Sequence, residues 1–263
     1  MIRVKSADGT AIAVERQGSG PAIVLVAGAL TPGAAFRPLA QLLAPHFTVY
    51  AYDRRGRGDS GDTAPYAVER EIEDLAAVIA EAGGQAYVFG HSSGAILALE
   101  AAAAGQGIAG LALYEPPLIL SGEPMPPDFA DQLAALVAAG RRGDALALWM
   151  RLTARLSDEA IAQARAEPWW AGAEALVPTA VYDATISAPY TRGQPLAAPH
   201  WSGVPVPALV LDGEVSPPVM RAGAAAVADL LPDATAQTLP GQAHGAPPEM
   251  IAPVLTTFFD RAG

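Results

Sequence analysis

Apolar residues recur along this chain with two different rhythms. Continuous apolar runs at 22–27 (AIVLVA), 86–89, 108–114 (IAGLALY) and 206–211 predict strands buried on both faces, and 47–52 and 234–239 add two more. Between them the spacing changes. Val68, Ile72, Leu75, Val78 and Ile79 fall on one face of a helix over 68–82 that stops at Gly83-Gly84. Helices are also predicted at 36–43, from Ala95 onward, at 219–231 and at 250–261. Two shorter strands at 2–5 and 11–16, joined through Asp8-Gly9, predict a hairpin at the start. Strands that alternate with helices imply an α/β fold with a mostly parallel sheet and helices on both faces.

The alternation breaks at Glu115-Pro116-Pro117. From there to Trp201 no buried strand is predicted, only helical stretches at 129–139, 145–156, 159–166 and 170–186 bounded by prolines. The chain therefore divides into a core, 1–115 and 202–263, and a helical cap insertion, 116–201. Trp149, Trp169 and Trp170 fall inside the insertion, and the fourth tryptophan, Trp201, ends it. Most of its aromatics are expected to pack internally, with some facing a cleft beneath; Leu30, His91, Trp149, Met150, Trp169, Trp170 and Tyr182 are the candidates for lining it.

Composition narrows the function classes. The 263 residues suffice for one domain with an insertion, and 27 Asp plus Glu against 16 Lys plus Arg leave a net charge of −11. That balance disfavours nucleic acid and anionic membranes as partners and leaves a small-molecule substrate. The absence of cysteine excludes disulfides, a thiolate nucleophile and Cys-based metal sites. The N-terminal stretch alternates like a strand instead of carrying a signal-peptide core, so a cytoplasmic location is expected; a monomer or homodimer is the expected assembly.

One stretch carries chemistry. Residues 85–100, QAYVFGHSSGAILALE, read as strand, sharp turn and helix, and the turn Gly90-His91-Ser92-Ser93-Gly94 is a G-x-S-x-G sequence in the context that gives it mechanical meaning. A serine at so tight a bend is held in a strained conformation with its hydroxyl exposed, and the N–H of Ser93 lies at a helix N-terminus where it can face an anion forming beside Ser92. The glycine-rich loop at 28–33 follows a central strand, which places the N–H of Ala29 to act as a second donor. The loop at 53–60, DRRGRGDS, lacks the lysine and Ser/Thr of a P-loop and is expected to be a solvated turn with local Asp–Arg pairs.

Together, the strand and AGA loop at 27–29, YDRRGRGDS, GHSSG, the insertion after LYEPP, PALVLDGE and the GQAH near the C-terminus resemble the cap-bearing members of the α/β-hydrolase superfamily over essentially the whole chain. The resemblance implies an α/β-hydrolase fold and a base drawn from four histidines, His46, His91, His200 and His244; it favours His244 over His200. Where the family most often has its acid, this chain has Ser216. Glu115 is the preferred acid, since haloalkane dehalogenases and similar relatives use the strand end after the nucleophile's helix; Glu214 and Asp212 are the alternatives. Ala27 stands where relatives usually have a histidine that supports the oxyanion loop. The expected activity is that of a serine hydrolase cleaving a small, mainly apolar ester, with Ser92, His244 and Glu115 catalytic, Ser93 and Ala29 forming the oxyanion hole, and no metal or organic cofactor. A carbon–carbon bond hydrolase, lyase or cyclase using the same site, or a ligand-binding protein with impaired catalysis, are the alternatives.

Overall fold

The computed structural model describes residues 1–195 and 201–262. A hairpin of β1 (Ile2–Lys5) and β2 (Ala11–Gly18) leads into β3 (Ala22–Val26), α1 (Arg37–Leu43), β4 (Thr48–Tyr52), α2 (Val68–Glu81), β5 (Ala86–His91), α3 (Ser93–Ala103) and β6 (Ile108–Tyr114). Five helices follow: α4 (Phe129–Ala138), α5 (Arg142–Thr153), α6 (Asp158–Ala164), α7 (Trp170–Leu176) and α8 (Ala180–Ser187). The chain then returns through β7 (Ala208–Gly213), α9 (Pro218–Leu230), β8 (Ala234–Leu239) and α10 (Pro248–Ala262). The eight strands form one sheet in the order β1-β2-β4-β3-β5-β6-β7-β8. Only the pairings of β2 with β1 and with β4 are antiparallel.

Both faces of the sheet are covered, as the uninterrupted apolar strands require. On one side Leu75, Val78 and Ile79 of α2, the apolar residues of α3, and Ala224 and Val227 of α9 pack on Val24, Val88 and Val210. On the other, Leu39 and Leu43 of α1 with Ile251, Leu255 and Phe259 of α10 pack on Leu25, Phe89 and Leu209. The sheet orders its strands so that β5 lies between β3 and β6, which brings the loops after all three to one edge.

The helices between β6 and β7 have a core of their own, built from Phe129, Leu133, Leu146, Ile161, Trp170, Val177 and Ala180, with Leu30 of the loop after β3 packed against it. The single helix expected over 170–186 is broken in two. Pro178 lies in a short 3-10 turn, Val177–Thr179, between α7 and α8, because a proline removes a backbone donor and crowds the preceding turn.

The loop at 53–60 corrects the expectation of a solvated turn. Arg54, Arg55 and Arg57 are among the most buried side chains of the molecule. Arg54 forks onto Glu71 of α2, with Nε and Nη2 donating at 2.6 and 2.7 Å, and its Nη1 reaches Asp183 of α8 at 2.8 Å. Arg57 donates to the other oxygen of Asp183 at 2.7 Å. Arg55 forks onto Asp74 at 2.7 and 2.8 Å and also meets Asp8 at 3.1 Å. Buried guanidiniums persist only with such partners, because an unpaired charge in this environment is strongly unfavourable. Asp74→Ala leaves Arg55 short of its main partner and is expected to lower stability by about 3 kcal/mol. Urea unfolding measures it, and a loss below about 1 kcal/mol would contradict the role assigned to the pair.

Candidate active site

Ser92 occupies the bend between β5 and α3 with φ 56° and ψ −125°, outside the regions ordinary residues favour. The bend is held by the Ser92 N–H donating to the carbonyl of Tyr114 on β6, at 2.9 Å. Gly94 lets the first turn of α3 lie against β3: a Cβ there would meet the carbonyl oxygen of Val26 at 2.4 Å. The loop after β3 comes equally close to the predicted nucleophile, since a Cβ at Gly28 would lie 2.9 Å from the Cβ of Ser92. The next residues in that loop are Ala29 and Leu30, the latter with φ 54°. Among the described residues, neither the N–H of Ala29 nor that of Ser93 has an acceptor within the chain, which leaves both available to an anion beside Ser92.

Glu115 follows β6 immediately, with φ 48° and its side chain fully buried. Its Oε2 lies 2.6 Å from His244 Nδ1, and its Oε1 accepts from the N–H of Gly213 at the end of β7, at 2.8 Å. Burial pushes this carboxyl's pKa up, but the bonds from His244 and Gly213 and the nearby Ser216 hydroxyl outweigh it and hold the group below the usual carboxylate range. Ser216 is thus a buried neighbour of the carboxylate that stands where the family's usual acid would. The other two carboxylates are engaged elsewhere. Asp212 accepts from Arg221 at 2.9 Å and from Thr238 at 2.7 Å, and Glu214 accepts from the N–H of Gly241 at 2.8 Å.

His244 sits in the loop between β8 and α10, its ring two-fifths exposed. That loop is moored by its carbonyls. The Tyr114 hydroxyl donates to Ala243, and His91 Nε2 lies 2.8 Å from the carbonyl oxygen of His244. The rings of His91 and His244 are 4.7 Å apart, so the residue next to Ser92 in sequence lies against the residue paired with Glu115. Ser92 and His244 do not hydrogen-bond directly, a separation often seen in sites without substrate.

His91 is therefore a mooring group, a role the sequence did not reveal because the partner is a backbone carbonyl 153 residues away. Burial first, and then the adjacent His244, lower its pKa from 6.5 to about 4. It remains neutral with its proton on Nε2, donating to His244. An unfolded histidine takes up its proton near 6.5, so acid favours the unfolded chain across the window from about 6.5 down to about 4. Stability is expected to fall by about 2 kcal/mol more between pH 7 and 4.5 in the native chain than in His91→Gln, measured by urea unfolding at both values. Parallel pH dependences in the two proteins would contradict this.

The aromatic candidates for a cleft separate on inspection. Trp170 is buried in the helical core beneath Arg165, whose guanidinium carbon is 5.1 Å from the ring. Trp149 stacks on Phe129 at 5.6 Å, and Met150 packs on the same cluster. Tyr182 is stacked on Tyr66 at 3.9 Å and donates to Asp62 at 2.7 Å. Trp169 is exposed, and Leu30 adjoins both the loop after β3 and the helical core. His46 lies on the far side, between α1 and β4, and His200 is outside the described residues. Among the described residues no group of three or more His, Asp or Glu side chains is arranged to hold a metal ion, and no helix is long and apolar enough to cross a membrane.

Comparison with known proteins gives three findings. Residues 23–254 match the model of the alpha/beta hydrolase family. An alpha/beta hydrolase from Sphaerobacter thermophilus is 50% identical with a TM-score of 0.90, over 98% of this chain and all of that one. Among curated proteins, N-formylmaleamate deformylase of Pseudomonas putida is 37% identical over 105 residues, 38% of this chain and 39% of that enzyme, and pimeloyl-[acyl-carrier protein] methyl ester esterase of Xanthomonas campestris pv. campestris is 39% identical over 97 residues, 36% and 37% of the two chains. The match thus spans less than two fifths of the length of either curated relative.

Proposed function

The chain belongs to the alpha/beta hydrolase family, and from that premise we propose that it is a serine hydrolase cleaving a small, mainly apolar ester through an acyl-enzyme on Ser92. The observation that carries this is the 2.6 Å contact between the buried Glu115 carboxylate and His244 Nδ1, beside a serine at a strained strand-to-helix bend. With Nδ1–H held by Glu115, the His244 lone pair is on Nε2, the atom that must take a proton from the serine. Ser92 Oγ attacks the ester carbonyl as Nε2 accepts its proton, and the carbonyl oxygen becomes an oxyanion between the N–H groups of Ser93 and Ala29. Collapse of this intermediate breaks the bond to the alkoxy oxygen, which leaves as an alcohol with the proton from His244. Water, deprotonated by His244, then attacks the acyl-enzyme and releases the acid and Ser92. The similarity to a deformylase and to a methyl ester esterase supports hydrolysis of an acyl bond.

The charge distribution supports an apolar substrate. Arg54, Arg55 and Arg57, the buried cations among the described residues, are each neutralised by Glu71, Asp74 or Asp183, so the described residues offer no free buried cation for an anionic acyl group. A fluorophosphonate probe tests the covalent step. Intact-mass analysis is expected to show one adduct on the native chain and none on Ser92→Ala. A native chain that hydrolyses esters yet stays unlabelled would overturn the acyl-enzyme reading.

A further inference from the structure

Two buried arginines and one aspartate of the helical segment converge on the backbone groups that flank the site. Asp183 of α8 is fully buried and accepts three hydrogen bonds: Ser93 Oγ at 2.7 Å and Arg54 Nη1 at 2.8 Å on one oxygen, and Arg57 Nη2 at 2.7 Å on the other. The same arginines reach past it to the loop after β3. Arg54 Nη1 donates to the carbonyl of Ala27 at 3.1 Å, and Arg57 Nη1 to the carbonyl of Gly28 at 2.7 Å. That second contact has a geometric consequence. The carbonyl of Gly28 and the N–H of Ala29 belong to one planar trans peptide, so they point in opposite directions, and a guanidinium that grips the oxygen fixes where the hydrogen is aimed. A cation on the carbonyl also draws electron density from the amide and strengthens the N–H as a donor.

We propose that Arg57 and Ser93, fastened together by Asp183, are positioning residues that aim the two oxyanion donors, so that the helical segment between β6 and β7 takes part in transition-state stabilisation through a residue 90 positions from the elbow. The proposal rests on the serine-hydrolase reading and adds to it. The carboxylate has to stay charged to hold two guanidiniums, and the neighbouring arginines and the Ser93 hydroxyl keep its pKa below the ordinary range against the opposing effect of burial. The groups facing Asp183 are Arg54, Arg57 and Ser93, and Arg54 is in turn shared with Glu71, which also accepts from the Tyr66 hydroxyl at 2.9 Å. The members are thus linked, and loosening one frees the others to shift.

Steady-state hydrolysis of a short p-nitrophenyl ester and inhibition by a trifluoromethyl ketone, whose serine-bound hemiketal carries the oxyanion, test the proposal. Arg57→Met removes the grip on Gly28 and is expected to lower kcat by about 100-fold, the order seen when one oxyanion donor is lost, with KM within twofold. Ser93→Ala leaves the backbone donor in place but unfastened, and is expected to lower kcat about 10-fold. In both, the inhibition constant for the ketone should rise by the factor by which kcat/KM falls, while the acid limb of the pH profile stays where it is in the native enzyme. A purely structural role moves the melting temperature without that proportionality. If Arg57→Met does not fold, Ser93→Ala decides alone. A folded variant with kcat within twofold of native, or one changed only in KM, overturns the proposal. A native chain that neither hydrolyses the ester nor binds the ketone refutes the esterase reading itself, so the two failures are distinct.

Discussion

Ser92→Ala is expected to lower kcat/KM for a short p-nitrophenyl ester by about 10⁴-fold or more, since removing the nucleophile of a serine hydrolase leaves only the oxyanion donors and binding to act on the substrate. The fold should be unaffected. Ser92 is half-buried, its Oγ makes no hydrogen bond among the described residues, and the bend is held by its backbone N–H on Tyr114, which alanine keeps. The one stability effect anticipated is small and of either sign, because alanine tolerates a φ of 56° no better than serine does. Equal thermal melting with the stated loss of turnover is the outcome that agrees with the mechanism. Turnover within tenfold of native would remove Ser92 from it and leave the strained bend without a chemical reason.

The second large effect concerns the acid. Glu115→Gln keeps the shape of the side chain but replaces the carboxylate facing His244 Nδ1 with an amide, which can present its NH₂ to that nitrogen and so favour the wrong tautomer. Loss of the matching charge in serine proteases costs about 10⁴-fold in kcat, and a loss of about 10³-fold or more is expected here. Glu214→Gln is the control: its carboxylate is spent on the N–H of Gly241, and activity should stay within about twofold of native. The reverse ranking would move the acid to the end of β7. Because Glu115 has its pKa held below the ordinary range, its contribution to stability is complete above about pH 4.5 and is lost as the pH falls further, so both activity and stability should erode there in the native chain and less steeply in Glu115→Gln.

Much of the architecture was legible in the sequence because it depends on local pattern. Runs such as AIVLVA and IAGLALY, too apolar for a one-sided strand, imply a sheet covered on both faces, and that is where β3 and β6 lie. The contact between Glu115 and His244 could be anticipated only through family resemblance, since 129 residues separate them and nothing in either local stretch refers to the other. The arginine loop shows the opposite case. DRRGRGDS carries the composition of a surface turn, and what buries it is Asp183, supplied from α8 by the fold, together with Glu71 and Asp74, which lie on and beside the apolar face of α2 but resemble solvated residues by type alone. Polar residues whose partners are remote cannot be distinguished from solvated ones by composition. The partner of Tyr182 was hidden for the same reason: its ring stacks on Tyr66, which no spacing within the inserted helices could show. The break at Pro178, by contrast, was available in the sequence, since a proline in mid-pattern argues for two helices.

Glu115 is the last residue before the chain leaves the sheet, and Asp183 lies well inside the helices that follow. Anyone exchanging those helices for a foreign set, to change what the protein accepts, must therefore cut after residue 115 to retain the partner of His244. Even a correctly placed junction discards Asp183, and with it the counter-charge of Arg57 and one of the two carboxylates on Arg54. A donor segment lacking an acidic side chain at that spot should yield a chimaera that fails in folding before its selectivity can be assayed.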